Sequence, residues 1–89
     1  MTDKIIGSMA RVGSFSWALL CIQNGWKMQR KGWNGKGMYV ELQRPDENSK
    51  MTMPYIFMKT ADNNLVPWLA SQTDILANDW ICYVEKGGK

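Results

Sequence analysis

The sequence predicts a single α+β domain: an N-terminal helix packed on an antiparallel sheet of about four to five strands, with a short second helix before the last strand. Three observations favour this fold class: helical spacing of apolar residues after Ser14, alternation of apolar and polar residues at 38–43, and turn-forming residues between short apolar runs. A chain of 89 residues allows one domain. We expect a leader at residues 1–13, the domain at 14–85 and a C-terminal tail at 86–89.

The clearest helical pattern begins directly after Ser14, which is placed to cap a helix, and ends at Gly25, which is suited to its last turn. The apolar residues of its main face are Phe15, Ala18, Leu19 and Ile22. Trp17, Leu20 and Cys21 widen this face beyond one stripe. We therefore expect the helix to contact a sheet on one side and a second surface, such as another chain, on the other.

Four further segments carry strand patterns. Residues 27–31 and 38–43 flank Asn34-Gly35, which is the strongest short-range signal for a two-residue type I′ hairpin turn. Residues 55–60 and 79–84 form two more apolar runs. These patterns predict a hairpin followed by two separate strands.

The segment 65–74 combines a short strand with a helix start. Pro67 lacks an amide proton, so residues 65–68 should form an edge strand or a bulge. Ser71 and Asp74 have the spacing of a capping box, which predicts a helix of two turns at most, from Gln72 to Asn78.

Composition narrows the possible functions. The chain has no histidine, so we expect no catalysis of the Ser-His or Cys-His kind and no catalytic residue. Because its two cysteines, Cys21 and Cys82, also lie far apart, we expect no zinc site and no cofactor. A net charge of +3 is small for a protein that wraps duplex nucleic acid. No run approaches the roughly 20 apolar residues that span a bilayer, and no signal-peptide cleavage site follows the first apolar run. We expect a cytoplasmic protein with reduced thiols.

The octapeptide RKGWNGKG, residues 30–37, contains more than a hairpin needs. A turn explains Asn34 and Gly35 without any ligand. The residues left over are Arg30, Lys31, Trp33, Lys36 and Gly37. Amides near glycines can form an anion nest, arginine can grip a phosphate, and tryptophan offers a face for a base, so this set is typical of a nucleotide site.

A second candidate group lies in VPWLASQTD, residues 66–74. Asp74 would repel phosphate at the helix start, and is better suited to accept hydrogen bonds from ribose hydroxyls or a base amine. Ordinary packing explains Trp68 about as well as ligand stacking does. Asp74 and Asp79 could also form a catalytic carboxylate pair, although capping explains each of them more simply.

Two longer blocks carry a resemblance to a known family. FSWALLCIQNGWKMQRKGWNGKGMYVEL at 15–42 and MPYIFMKTADNNLVPWLASQTDILANDW at 53–80 closely resemble the small phage proteins called Thoeris anti-defence protein two. The resemblance runs from about Phe15 to Trp80, and excludes the leader and the loop at 44–52.

The resemblance implies sequestration of a small molecule in the host cell cytoplasm. Proteins of this family bind glycocyclic ADP-ribose, a cyclic ADP-ribose isomer made by a TIR-domain defence enzyme, without cleaving it, and so keep an NAD-degrading effector inactive. They are homotetramers with pockets between subunits, and some also hold cyclic dinucleotides at a separate site. Neither a membrane nor a nucleic acid is expected as a partner.

Chemistry and the family motif together give each candidate residue a role. Trp33 and Trp68 would stack on the adenine and ribose or form a wall beside them, and Arg30 and Lys36 would bind the diphosphate. The residues expected to hydrogen-bond ribose or base edges are Asn34, Ser71 and Asp74. The alternatives are a module for single-stranded nucleic acid or cyclic dinucleotides, an adaptor that binds a host protein and, least favoured, an enzyme.

Overall fold

The structure, a computed structural model, describes residues 10–33 and 36–85 and confirms the predicted α+β fold. The elements are α1 (Phe15–Gln23), β1 (Met28–Arg30), β2 (Tyr39–Gln43), β3 (Tyr55–Lys59), β4 (Leu65–Pro67), α2 (Gln72–Ile75) and β5 (Trp80–Cys82). Within these described ranges, neither helix has the length and hydropathy of a membrane span.

The five strands form one antiparallel sheet in the order β4-β3-β2-β1-β5. Strand β4 is at one edge, so the edge position predicted from Pro67 is confirmed. Strand β5, the last in sequence, pairs with β1 rather than with β4. This return of the chain places the start of β5 beside the end of β1, where the octapeptide begins.

Helix α1 covers one face of the sheet. The Ser14 side chain accepts a hydrogen bond from the Trp17 amide at 3.2 Å, which confirms the predicted N-cap, and Gly25 follows the helix with φ of 94°. Packing on β1, β2 and β5 then buries the inward side of the helix. The fully buried core consists of Ala18, Ile22, Met28, Val40 and Trp80.

Gly13 joins the segment before α1 to strand β5. It is buried, and its carbonyl accepts a hydrogen bond from the Trp80 amide at 3.0 Å. Its φ is 98°, and a Cβ at this position would stand 2.8 Å from the Asn78 carbonyl oxygen. Glycine is therefore required both by the backbone conformation and by the close approach of another backbone.

The connection between β1 and β2 is longer than the two-residue turn that the sequence predicts. Asn34-Gly35 itself lies outside the described residues, but β1 ends at Arg30 and β2 begins at Tyr39, so the ladder stops well before the pair. The Lys31 amide instead donates to the Asp79 carbonyl at 3.0 Å. The end of β1 is thus held by the β5 side of the sheet.

Helix α2 is a single turn, shorter than the predicted limit at Asn78. The capping box is confirmed: the Ser71 hydroxyl accepts from the Asp74 amide at 3.1 Å, and the Asp74 carboxylate accepts from the Ser71 amide at 3.2 Å. The Asp74 carbonyl also accepts a hydrogen bond from the Trp80 indole at 2.9 Å. This bond links the short helix to the core.

Candidate functional site

Trp80 is the centre of an aromatic cluster that brings the two candidate tryptophans together. Trp33 meets it edge-on with ring centroids 5.5 Å apart, and Trp68 does so at 6.1 Å. Phe15 of α1 completes the cluster at 5.7 Å from Trp80. Trp33 and Trp68 are half-buried, so each supports the core while part of its ring stays accessible.

Arg30 lies between two carboxylates at the edge of this cluster. Its Nε donates to Asp79 Oδ1 at 2.8 Å and its Nη1 donates to Asp74 Oδ1 at 2.9 Å. These contacts use two of the five N–H groups of a guanidinium. The arginine charge, which the sequence assigns to a diphosphate, is therefore offset by two acids within the chain.

The three charges shift one another's pKa values. Hydrogen bonds to Asp79 and Asp74 raise the pKa of Arg30. Burial acts to raise the pKa of Asp74, but hydrogen bonds from Arg30 and Ser71 outweigh it and the net shift is downward. The hydrogen bond from Arg30 likewise holds the pKa of Asp79 below its usual range. All three groups are charged at neutral pH.

Both carboxylate oxygens of Asp74 accept hydrogen bonds from residues of the same chain. Oδ1 accepts from Arg30 and Oδ2 accepts from the Ser71 amide, and the residue is only 9% exposed. Ser71 in turn lies 2.8 Å from the Thr73 hydroxyl. The geometry gives both residues a structural role at the start of α2, and their contact with a ligand stays a prediction.

Asp79 has a role that the sequence did not reveal. Its Oδ2 accepts a hydrogen bond from the Gly32 amide at 3.0 Å, in addition to the Arg30 contact at Oδ1. The side chain therefore does not cap a helix or a strand end, which is the role that the sequence predicts. It binds the turn that follows β1, a contact that depends on the non-local pairing of β1 with β5 and so has no local sequence signal.

The far end of the same turn is anchored by Lys59. Its Nζ donates to the Gly37 carbonyl at 3.0 Å, and Gly37 has φ of 75°. Lys59 and Lys27 also flank the Tyr39 ring, at 5.9 and 5.0 Å from its centroid. Residues 31–33 and 36–37, hereafter the site turn, are thus held at one end by the Asp79 carboxylate and at the other by the Lys59 ammonium group.

A cleft of about 820 Å³ opens beside the site turn. It is lined by Gln29, Arg30, Lys31, Trp33, Lys36, Gly37, Ile81, Tyr83, Val84 and Glu85. This volume is in the range of small-molecule sites, about 300–1,000 Å³. Lys31 and Lys36 are exposed here, so the cleft combines two cations with aromatic rings.

The structure divides the predicted site residues into two connected sets. Arg30, Trp33 and Lys36 line the cleft. Trp68, Ser71 and Asp74 lie at the start of α2 instead, and reach the first set through the Arg30 ion pair and the Trp80 ring. Asn34 lies outside the described residues. Lys31, which the sequence singles out without giving it a separate role, also lines the cleft, and Tyr83 is a cleft residue that sequence reasoning missed.

Comparison with known proteins shows which family the chain matches. Residues 13–83 match the family model described as the Thoeris anti-defense 2-like domain. The chain is also 39% identical over 80 residues to the Thoeris anti-defense 2 protein of Bacillus phage SP01, covering 75% of this chain and 90% of the relative. The matched region spans every element of the fold and the whole of the site turn.

Proposed function

Because this chain belongs to the Thoeris anti-defense 2-like family, we propose that it sequesters a cyclic ADP-ribose-type signal in the host cytoplasm and so blocks Thoeris anti-phage defence. The specific ligand is glycocyclic ADP-ribose, made by a TIR-domain protein. The observation that carries the proposal is the site turn, which presents Trp33 and Lys36 to one cleft of suitable volume.

The chemistry of the cleft suits a compact diphosphate that carries a base. The part of the Trp33 ring that does not meet Trp80 offers a stacking face for adenine. Lys36 is exposed beside it and supplies a cation for the diphosphate, with Lys31 as a second one. Glu85 and Gln29 give the same cleft acceptors for ribose hydroxyls.

Arg30 contributes less to phosphate binding than its position in the octapeptide predicts. Two of its donors are held by Asp74 and Asp79, and their negative charges offset its own. Its remaining donors can still reach an anion in the cleft. We therefore assign the main electrostatic contact to Lys36 and an auxiliary contact to Arg30.

Trp68, Ser71, Asp74 and Asn34 complete the proposed ligand contacts. A homotetramer with pockets between subunits would allow the α2 start of one subunit to meet the cleft of another. The surface offers apolar side chains for such contacts: Leu65, Leu69 and Leu76 are 65%, 91% and 74% exposed. Size-exclusion chromatography with light scattering should give four times the monomer mass, 10.2 kDa. Monomers at micromolar concentration would remove this part of the proposal.

Binding without cleavage is supported by the state of the two candidate carboxylates. Asp74 and Asp79 both bind Arg30, and their pKa values are lowered, so neither is suited to deliver a proton at neutral pH. The carboxylate oxygens already accept hydrogen bonds within the chain, so neither acid is suited to act as a base. We infer that the site stores the ligand and leaves its bonds intact.

Calorimetry over a salt series tests the proposed ligand class. We expect micromolar or tighter binding of glycocyclic ADP-ribose, with an affinity that falls only modestly between about 50 and 200 mM salt. Over the same range, a protein that binds a nucleic-acid strand through several phosphate contacts loses orders of magnitude in affinity. A parallel titration with a cyclic dinucleotide tests the separate site. Tight binding of single-stranded DNA combined with no binding of glycocyclic ADP-ribose would replace the proposal with a nucleic-acid module.

A further inference from the structure

Asp79 makes three hydrogen bonds to three consecutive residues, Arg30 at the end of β1 and Lys31 and Gly32 at the start of the site turn. Its carboxylate accepts from Arg30 Nε at 2.8 Å and from the Gly32 amide at 3.0 Å, and its carbonyl accepts from the Lys31 amide at 3.0 Å. We propose that Asp79 is a positioning residue for ligand binding, which fixes the start of the site turn so that Trp33 faces the cleft. This inference rests on the proposed function.

Strand pairing does not hold the site turn by itself. The register between β1 and β2 includes only Met28 with Val40, while Arg30, the last residue of β1, pairs with Trp80 of β5. The turn therefore leaves the sheet on the β5 side. At that point the Asp79 carboxylate supplies an acceptor for the Gly32 amide, which lies beyond the last ladder pair.

The close approach of Gly32 to Asp79 shows how tightly this end of the turn is fixed. A Cβ at residue 32 would stand 3.0 Å from Asp79 Oδ2, closer than most side chains tolerate. Trp33 follows directly, with its amide donating to the Arg30 carbonyl at 3.2 Å. A shift of the Gly32 amide would therefore move the indole relative to Trp80 and the cleft.

The chemistry of the contact makes Asp79→Asn a sharp test. Both carboxylate oxygens face N–H donors, one on Arg30 and one on Gly32. An asparagine of the same shape has one acceptor oxygen and one NH₂ group, which would oppose a donor. The asparagine oxygen is expected to stay with the charged Arg30 donor, so the NH₂ group would face the Gly32 amide. The substitution thus breaks the Gly32 contact and removes the charge without creating a cavity.

The first measurement follows the turn without ligand. In Asp79→Asn, we expect hydrogen exchange at the Gly32 amide to accelerate at least about tenfold, since a charge-assisted hydrogen bond is lost. Asp46→Asn is the matched control, because Asp46 caps an exposed turn through the Asn48 amide at 2.9 Å, away from the site. Gly32 exchange that stays at the wild-type rate in Asp79→Asn would overturn the proposal whether or not the protein binds a nucleotide.

The second measurement separates positioning from simple support of the fold. We expect Asp79→Asn to weaken glycocyclic ADP-ribose binding about tenfold with the oligomeric state unchanged, and Asp46→Asn to leave it unaltered. Trp33→Ala should lose less affinity in the Asp79→Asn background than in the wild type, because a displaced Gly32 amide no longer presents the Trp33 ring to the ligand. The loss from Trp68→Phe, outside the turn, should be the same in both backgrounds.

The outcomes distinguish this inference from the proposed function. Wild-type protein that binds no glycocyclic ADP-ribose contradicts the proposed function and, with it, the ligand-binding role of Asp79. Wild-type binding that persists at full strength in Asp79→Asn contradicts the positioning role alone. Independent effects of Asp79→Asn and Trp33→Ala on affinity also overturn the positioning role, since they would show that the turn still presents Trp33 normally.

Discussion

Arg30 and Asp79, 49 residues apart in sequence, meet at 2.8 Å between Nε and Oδ1. This contact joins the end of β1 to the start of β5, two antiparallel neighbours at one edge of the sheet. Asp74 binds the same guanidinium from α2 at 2.9 Å. One arginine thus connects the site turn, the last strand and the second helix.

Replacing this arginine should destabilise the protein. In Arg30→Met, Asp74 and Asp79 lose their common partner while remaining partly buried, so we expect the free energy of unfolding to fall by about 2 to 3 kcal/mol. Urea denaturation measures the change. Arg44→Met is the control, since the one contact of the Arg44 side chain with the described residues is with the exposed Gln23 carbonyl, and it should change stability by less than about 0.5 kcal/mol. Equal effects of the two substitutions would contradict the assigned role.

The same ion pairs should make stability depend on acid pH. Asp74 and Asp79 have lowered pKa values in the folded state, so their contribution is complete above the unfolded value of about 3.9 and is lost as the pH falls through the folded values. Arg30→Met removes a main cause of both shifts. We expect thermal melts between about pH 6 and pH 2 to show a shallower acid loss for this variant than for the wild type. Parallel curves would contradict the prediction.

The close backbone contact at Gly13 can be tested with an internal control. Gly13 and Gly25 have φ of 98° and 94°, but a Cβ at Gly13 would stand 2.8 Å from the Asn78 carbonyl oxygen, while a Cβ at Gly25 has nothing within 4 Å. We expect Gly25→Ala to cost about 1 kcal/mol of unfolding free energy, from backbone strain alone. Gly13→Ala should cost about 2 to 4 kcal/mol, because overpacking adds to the strain. Similar losses would show that the contact relaxes easily.

The stacking role of Trp33 predicts a loss of ligand affinity. Trp33→Ala should weaken glycocyclic ADP-ribose binding by about 1 to 3 kcal/mol while the oligomer remains intact. Trp26→Ala is the control, because Trp26 is 58% exposed and does not line the cleft. This variant should bind glycocyclic ADP-ribose with the wild-type affinity. Calorimetry measures both. Loss of assembly in Trp33→Ala would assign the residue to structure through its contact with Trp80.

Much of the fold was predictable from local patterns. Ser14 caps α1 and Ser71 caps α2 through contacts within three residues, which the sequence displays directly. The edge position of β4 follows from Pro67, which has no amide proton to donate. Such features depend on neighbours along the chain, so short windows of sequence are enough to identify them.

The arrangement of the site was less predictable, because it depends on the pairing of β1 with β5. Arg30 is a reasonable phosphate ligand by composition, and only the fold shows that Asp74 and Asp79 already bind it. The sequence favours Trp33 and Trp68 as stacking residues, but their common contact with Trp80 is set by the topology of the sheet. The sequence identifies Arg30, Trp33 and Trp68 as candidates, and the topology of the sheet determines which side chains they contact.

The most direct test of storage without chemistry is recovery of the ligand. Purified protein in molar excess is incubated with glycocyclic ADP-ribose, filtered, and then heat-denatured, and the nucleotide in the filtrate and in the supernatant is measured by chromatography and mass spectrometry. The account predicts a depleted filtrate and the return of unaltered glycocyclic ADP-ribose in near-stoichiometric amount after denaturation. Undiminished ligand in the filtrate, or a linear or hydrolysed nucleotide after heating, would contradict it.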